Sequence, residues 1–344
     1  MDASQPLSQT IHFVLPDDRH LPSGGNIYNE QLIEALISLG QSVKIIDFAA
    51  YREAVLHDQE GIYGVDSLFV EEMKPLIGVR PAKTYSFFIM HHLQSLHPPA
   101  GVDATLFFEE HEKEVLDFFQ AFLLSSAYSK TYLLQKGISA PMMVVEPAST
   151  LASSVSSLPP DLPVKGLMVA NVVERKGILP FLEALSSQSE KEDAFVLNII
   201  GRTDMEPDYF DACVQLVETS DLKNKVHFLG GLEHTATLKQ YAQHHLFLST
   251  AHMETFGMAI QEAKVQGLPL LLYEGGHAAK HLEDGVGMLY LQISELAENF
   301  IKLSRNNLEI LELWQSAKAD TKIYEAYTWK QAAALFLNFF RDFL

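Results

Sequence analysis

Short runs of consecutive apolar residues alternate along this chain with longer segments in which apolar positions recur every three or four residues. These are the marks of buried strands and half-buried helices. Residues 11–15 (IHFVL) read as a first buried strand stopped by Pro16, and the loop DDRHLPSGGN leads into a helix over 27–39 closed by Gly40. Residues 43–48 (VKIIDF) read as the next strand, 51–80 as helix and loop of unsettled register, and 85–90 (YSFFIM) as a further buried strand. A helix with an acidic surface is expected over 109–119, then a strand running into a helix at FLLSSAYSK, then a short strand at 142–146. The second half gives strands at 166–170, 196–200, 226–230, 246–248 and 270–273, with helices starting at 179 and covering 206–219 and 234–243. A helix opens at Glu254-Thr255-Phe256-Gly257 and ends at Gly267, and the last segment, 324–344, reads as an apolar-faced helix. Strand alternating with helix predicts an α/β protein with parallel sheets. The Ser-, Leu- and Pro-rich stretch 149–163 has the composition of a linker. The expected domain boundary therefore falls there, between 1–155 and 156–323, and the pattern alone leaves open which of the two the C-terminal helix at about 324–344 packs on.

Composition narrows the function classes. At 344 residues the chain is long enough for two domains, and 47% hydrophobic residues mark a globular protein. The 44 acids against 25 bases give a formal charge of −19, which argues against nucleic acid as a partner. It argues less strongly against anionic membranes, where a local basic patch would keep association open. A single cysteine, Cys213, excludes an internal disulfide, fits a reducing compartment and is expected to be a small buried residue. The polar N-terminus and the lack of an apolar run near 20 residues lead to the expectation of a cytoplasmic protein.

The candidate chemistry gathers in residues 246–289. Ligands of open parallel sheets bind beyond the carboxyl ends of strands, where helix N-termini favour anions such as phosphate. Glu254 stands at such a start and Glu262 eight residues on, about two turns into the helix. Taken alone, Glu254 would do no more than complement the helix dipole, and Glu262 would be solvated. Two carboxylates beside a phosphate site suit a sugar nucleotide, because each accepts hydrogen bonds from hydroxyls. Gly24-Gly25 follows the first strand, where a backbone free of Cβ atoms admits a diphosphate. His91-His92 ends a strand, at the rim where ligands sit. Asp17-Asp18 reads as a solvated loop, and no His or Cys at zinc-ligand spacing joins the histidines, so no metal site is expected.

Glu254, Phe256-Gly257, Glu262, Ala263, Gly267, Pro269 and Gly275-Gly276 together resemble the Glu-seven residues-Glu signature of the retaining glycosyltransferases of family 4. That resemblance implies the GT-B fold: two Rossmann-like, doubly wound domains with a cleft between them, the N-terminal one on the acceptor side and the C-terminal one binding the donor. It also implies transfer of a sugar from a nucleotide-sugar, with retention, the leaving diphosphate assisting on the same face and no metal or other cofactor required. A UDP-sugar is the first expectation for the donor, and the acceptor is an unidentified small molecule or glycan. Glu254, with the backbone at Thr255, Phe256 and Gly257, would hold the donor hexose, and Glu262 the ribose hydroxyls. Lys176 in Arg175-Lys176-Gly177 matches the family's diphosphate-binding lysine, Gly24-Gly25 its N-terminal glycine loop, and Tyr327-Thr328-Trp329 the start of its final helix, so the resemblance implies that the helix at about 324–344 crosses back to join 1–155. The family has one histidine where this chain has two; His91 matches better by spacing, and the doublet leaves the choice with His92 open. The chain departs from the pattern at Asn171, where the family usually has an arginine. Arg175 and Arg202 are the candidates to replace that charge, with Arg202 preferred because it ends a strand. The departure also motivates an alternative, a nucleotide-sugar-binding partner subunit with weak or no activity.

Overall fold

The computed structural model describes residues 5–98, 101–148, 163–190, 194–320 and 327–343. The expected linker, apart from Pro163, lies outside the described residues. The chain forms two compact units, one made of Met1–Leu21, Gly25–Ala148 and Tyr327–Leu344, the other of Pro22–Gly24 and Ser149–Ala326.

The first unit runs β1 (Ile11–Val14), α1 (Gly24–Ser38), β2 (Val43–Ile46), α2 (Phe48–Leu56), β3 (Gly61–Asp66), α3 (Val70–Met73) and β4 (Thr84–Met90). It continues with α4 (Ala104–Phe107), a π turn over Phe108–Glu112, α5 (Lys113–Leu116), β5 (Ala121–Leu124), α6 (Ala127–Gln135) and β6 (Met142–Val144). Its six strands are all parallel, in the order β2-β1-β3-β4-β5-β6. The second unit runs β7 (Val164–Val169), α7 (Ile178–Gln188), β8 (Phe195–Ile200), α8 (Pro207–Thr219), β9 (Val226–Gly230), α9 (His234–Tyr241) and β10 (Leu246–Ser249). Then come α10 (Met258–Val265), β11 (Leu270–Tyr273), β12 (Gly287–Tyr290), α11 (Ile293–Arg305) and α12 (Asn307–Asp320). Its six strands are also parallel, in the order β12-β11-β10-β7-β8-β9. A last helix, α13 (Trp329–Phe343), belongs to the first unit. This is the doubly wound α/β architecture that the alternation predicts, twice over.

The central strands of each sheet are buried on both faces, as in parallel sheets generally, while the edge strands β2, β9 and β12 are partly exposed. In the second unit Phe181, Phe195 and Phe300 are fully buried, with the Phe195 and Phe300 rings 5.1 Å apart. In the first, Phe336 and Phe340 of α13 pack on Phe87 of β4 at 5.7 and 4.9 Å. Phe336 also stacks on Phe13 of β1, so α13 covers the middle of that sheet.

Several boundaries differ from the expectation. Gly24-Gly25 forms the first turn of α1, so the helix starts three residues early and the pair is not a loop. Phe48 starts α2 instead of ending a strand, because Asp47 caps the helix by accepting from the Ala50 N–H at 2.7 Å. The unsettled stretch 51–80 holds β3, a fully buried central strand. The helix expected over 109–119 ends by Leu116 and is broken by the π turn. The final helix starts at Trp329; residues 324–326 and 344 lie outside the described residues.

Candidate functional site

In the second unit the chain leaves β7 toward β8 and β9, then returns to place β10 on the other side of β7. The carboxyl ends of β7 and β10 thus flank the point where the winding reverses, the place where open α/β sheets bind ligands. The loops after these two strands carry Lys176 and Glu254 and bring their side chains together: the Lys176 ammonium donates to Glu254 Oε1. Both side chains are largely buried, at 13% and 16% exposure. Burial pulls the Lys176 ammonium below the ordinary lysine range, and the Glu254 carboxylate pulls the other way.

The backbone around the pair is built for close approach. Gly177 has φ +62°, and a Cβ there would lie 2.3 Å from the Thr250 carbonyl oxygen. The Thr250 hydroxyl donates to the Lys176 carbonyl at 2.7 Å, so the loops after β7 and β10 lie against each other. Glu254 itself lies four residues before the start of α10; the helix is capped by Gly257, and Glu254 pairs as an isolated parallel bridge with Gly276. The His277 N–H donates to the Glu254 carbonyl at 2.7 Å. A Cβ at Gly276, φ +59°, would lie 2.3 Å from that same Glu254 carbonyl, so the Gly275-Gly276 turn is what lets the two loops touch. Buried His281 donates from Nε2 to the Phe256 carbonyl at 2.6 Å, and the Phe256 ring stacks on His277 at 5.4 Å. Desolvation drops the His281 imidazole to about 4, keeping it neutral. Thr255, Phe256 and Gly257 therefore sit in a loop braced from behind by a segment that sequence reading valued only for its glycines.

Glu262, on α10, is not solvated. His234 Nε2 donates to its Oε1 at 2.7 Å and the Tyr241 hydroxyl donates to its Oε2 at 2.9 Å. The remaining expected donor-binding residues are arranged less simply. Asn171 turns its amide into the loop after β8, where Oδ1 accepts the Arg202 backbone N–H at 3.1 Å and Nδ2 reaches Met205 Sδ at 3.3 Å. The strand β8 ends at Ile200, and Arg202 lies beyond it with its guanidinium in a two-pronged contact with Asp204 at 3.0 Å. Arg202 thus does not itself end the strand, and its guanidinium is engaged by a carboxylate that a phosphate would have to compete with. Half-buried Arg175, one residue before Lys176, makes no side-chain hydrogen bond or ion pair among the described residues.

The first unit has its own cluster at the carboxyl ends of β1, β3 and β4. Its switch of winding lies between β1 and β3. A Cβ on Gly25 would come within 3.0 Å of the His91 ring, so the glycine lets α1 start against the imidazole. His91 Nε2 donates to Asn29 Oδ1 at 2.9 Å and lies 3.5 Å from Asp66 Oδ2, while Asn29 Nδ2 donates to Asp66 Oδ2 at 2.8 Å. That chain places the His91 proton on Nε2 and makes Nδ1 the basic nitrogen. Burial lowers the His91 imidazole, with Asp66 opposing. His91 and His92 both donate backbone N–H to the Ser67 hydroxyl, at 3.2 and 3.4 Å, but only the His91 ring joins the Asn29–Asp66 chain. Asn29 and Asp66 carried no motif; they are legible only as buried polar residues, 2% and 1% exposed, once the fold is known. Among the described residues no cluster of His, Cys, Asp or Glu could hold a metal ion.

Comparison with known proteins places this geometry. Residues 154–320 match the family described as glycosyl transferases group 1. A probable sucrose-phosphate synthase from Thermosipho melanesiensis is 31% identical over 151 residues, which is 43% of this chain and 34% of that protein. The chain thus spans about a third of that relative's length. Among solved structures, sucrose-phosphate synthase from Thermosynechococcus elongatus superposes with TM-score 0.71 at 15% identity, covering 98% of this chain and 99% of the other. Anabaena HepE in complex with UDP-glucose superposes with TM-score 0.69 at 17% identity, covering 96% and 99%. The chain therefore has the GT-B fold, and its residues 154–320 match the glycosyl transferases group 1 family.

Proposed function

We propose that this protein is a glycosyltransferase that moves a sugar, with retention, from a nucleotide-sugar to a small-molecule or glycan acceptor. The observation that carries the reading is the Lys176–Glu254 pair at the switch between β7 and β10. A buried cation joined to a carboxylate is matched to a donor that brings both a diphosphate and a polyhydroxyl ring. The diphosphate takes Lys176, and the hexose hydroxyls take Glu254 and the backbone of Thr255, Phe256 and Gly257. Glu262 accepts from the ribose. Arg175, one residue from Lys176 and without an ion pair among the described residues, is the second cation for the leaving diphosphate, in place of Arg202. The first-unit cluster of Gly25 and His91 serves the acceptor side. UDP-glucose is the first donor to test, because HepE is solved with it. The reaction asks for preorganised charge at the diphosphate, not for a protein nucleophile or a metal. Among the described residues no helix is long and apolar enough to cross a membrane, and we propose a cytoplasmic site of action.

A second reading, a nucleotide-sugar-binding subunit without transfer, is favoured by one observation: Asn171 and Arg202 are both committed to their own loops. Calorimetry with UDP-glucose, GDP-mannose and ADP-glucose, followed by slow donor hydrolysis, separates the two. The transferase reading expects one donor to bind and to release its nucleoside diphosphate, with Lys176→Ala lowering that release about 10²–10³-fold. Arg175→Ala should slow it more than Arg202→Ala. Tight binding with no release in the wild type, with or without a panel of simple sugar acceptors, supports the binding subunit. No binding of any donor overturns both.

A further inference from the structure

The two partners of Glu262 both come from α9 and are its first and last residues, His234 and Tyr241. Seven residues are close to two helical turns, so both side chains leave the same face of α9, the one toward α10. Helical side chains also lean toward the N-terminus of their helix, which carries the long Tyr241 ring back toward His234 and lets both reach one carboxylate. Each takes a different oxygen: His234 donates to Oε1 at 2.7 Å, Tyr241 to Oε2 at 2.9 Å. Tyr241 is fully buried, its hydroxyl also lies 3.3 Å from the Ala259 carbonyl, and its ring sits 6.0 Å from Phe247, so its position is fixed by packing. The carboxylate is thereby pinned about its last torsion, which in glutamate is otherwise broad. An ionised carboxylate has about four acceptor positions, and this arrangement uses two. The Glu262 side chain keeps 11% of its surface exposed and His234 keeps 22%.

We infer that His234 and Tyr241 are positioning residues that fix the Glu262 carboxylate so that its remaining acceptor positions read the ribose hydroxyls of the nucleotide, and that His234 sets the preference for ribose over deoxyribose. The inference rests on the glycosyl-transfer reading and adds to it the device that makes Glu262 selective. A freely rotating carboxylate would follow whatever polar group the ligand offers, whereas a pinned one accepts only where a hydroxyl arrives at the set position. His234 approaches from α9 and engages Oε1 alone, which leaves further acceptor positions of the carboxylate open.

The test is calorimetric, on the full chain, with UDP, ADP and GDP and the three matching 2′-deoxynucleoside diphosphates. For the base that binds best, the wild type should prefer the ribonucleotide by ~10-fold or more, the size of a hydrogen bond to a charged group. His234→Ala should bring that ratio to within about 3-fold, since most of the charged hydrogen bond is then lost. His234→Gln, which can still donate to Oε1, should restore most of it. Tyr241→Phe, which removes only the hydroxyl, gives the same readout should His234→Ala fail to melt cooperatively. A uniform drop in affinity with an unchanged ratio would make the pair merely structural and overturn the inference, as would a wild type that does not discriminate. A wild type that binds none of the nucleotides removes the glycosyl-transfer reading itself, a failure distinguishable from the other two.

Discussion

Cys213 sits on α8 with no exposed surface, and burial pushes its thiol up to about 12. A thiol reacts as its thiolate, so it should resist modification by Ellman's reagent at pH 8 about 10³-fold more strongly in the native chain than in guanidinium. Comparable rates in the two states would show that α8 opens readily. At this scale the sequence was informative about residue types and silent about pairing. Lys176, Glu254 and Glu262 could be singled out by spacing, but nothing in the spacing says that the first two meet or that His234 and Tyr241 hold the third. Arg202 shows the cost of that silence. Its charge made it attractive as a phosphate ligand, and an aspartate two residues away, Asp204, had already engaged it. Whether two nearby charges bond is decided by backbone direction in the loop, which no periodicity reports.

The segment after β11 is the element on which the site leans. His281 is buried, neutral and bonded to the carbonyl of Phe256, and its folded-state value near 4 lies below the ordinary 6.5. Between these values the unfolded chain binds a proton that the folded chain does not. Stability is therefore complete above about pH 6.5 and is lost as pH falls toward 4, by about 3 kcal/mol for this group alone. Burial lowers His12, His91, His244 and His277 in the same direction. Urea midpoints at pH 7.5 and 4.5 check the sign, and His281→Gln should flatten the difference. A steeper dependence in that variant would contradict the assignment. Elements with strong periodicity were legible, including all five strands expected in the second unit. β3 was not, because GIYGVD carries two glycines where a strand should carry side chains. The reason is packing: a Cβ on Gly64 would lie 2.2 Å from the Phe87 ring, so the neighbouring strand's aromatic residue fills that place. The missing signal sits on β4, the next strand in the sheet.

For the molecule as a whole, the alternation of short strands and helices was enough to give two parallel sheets, because only that arrangement buries strands on both faces. The composition could not say which sheet the last helix covers. The side chains of α13 answer it, since Phe336 and Phe340 fill the space over Phe13 and Phe87. Phe336→Ala should cost about 3–5 kcal/mol as a buried aromatic deletion. In a chain of two units the loss should fall on one transition, read by calorimetry as a lowered melting step for the first unit with the second unchanged. A shift of both steps together would mean that the units melt as one.

The placement of α13 also sets a timetable. Apart from Pro22–Gly24, the second unit is drawn from one continuous stretch, whereas the first needs residues from both sides of it. A ribosome delivers the chain from its N-terminus, and domains generally fold as they emerge. The first unit to be translated is thus the last to be finished: β1 and β4 must wait, with Phe13 and Phe87 uncovered, while the whole of the second unit is made. Nascent chains stalled before residue 327 should therefore hold a protease-resistant second unit and engage chaperones through the first.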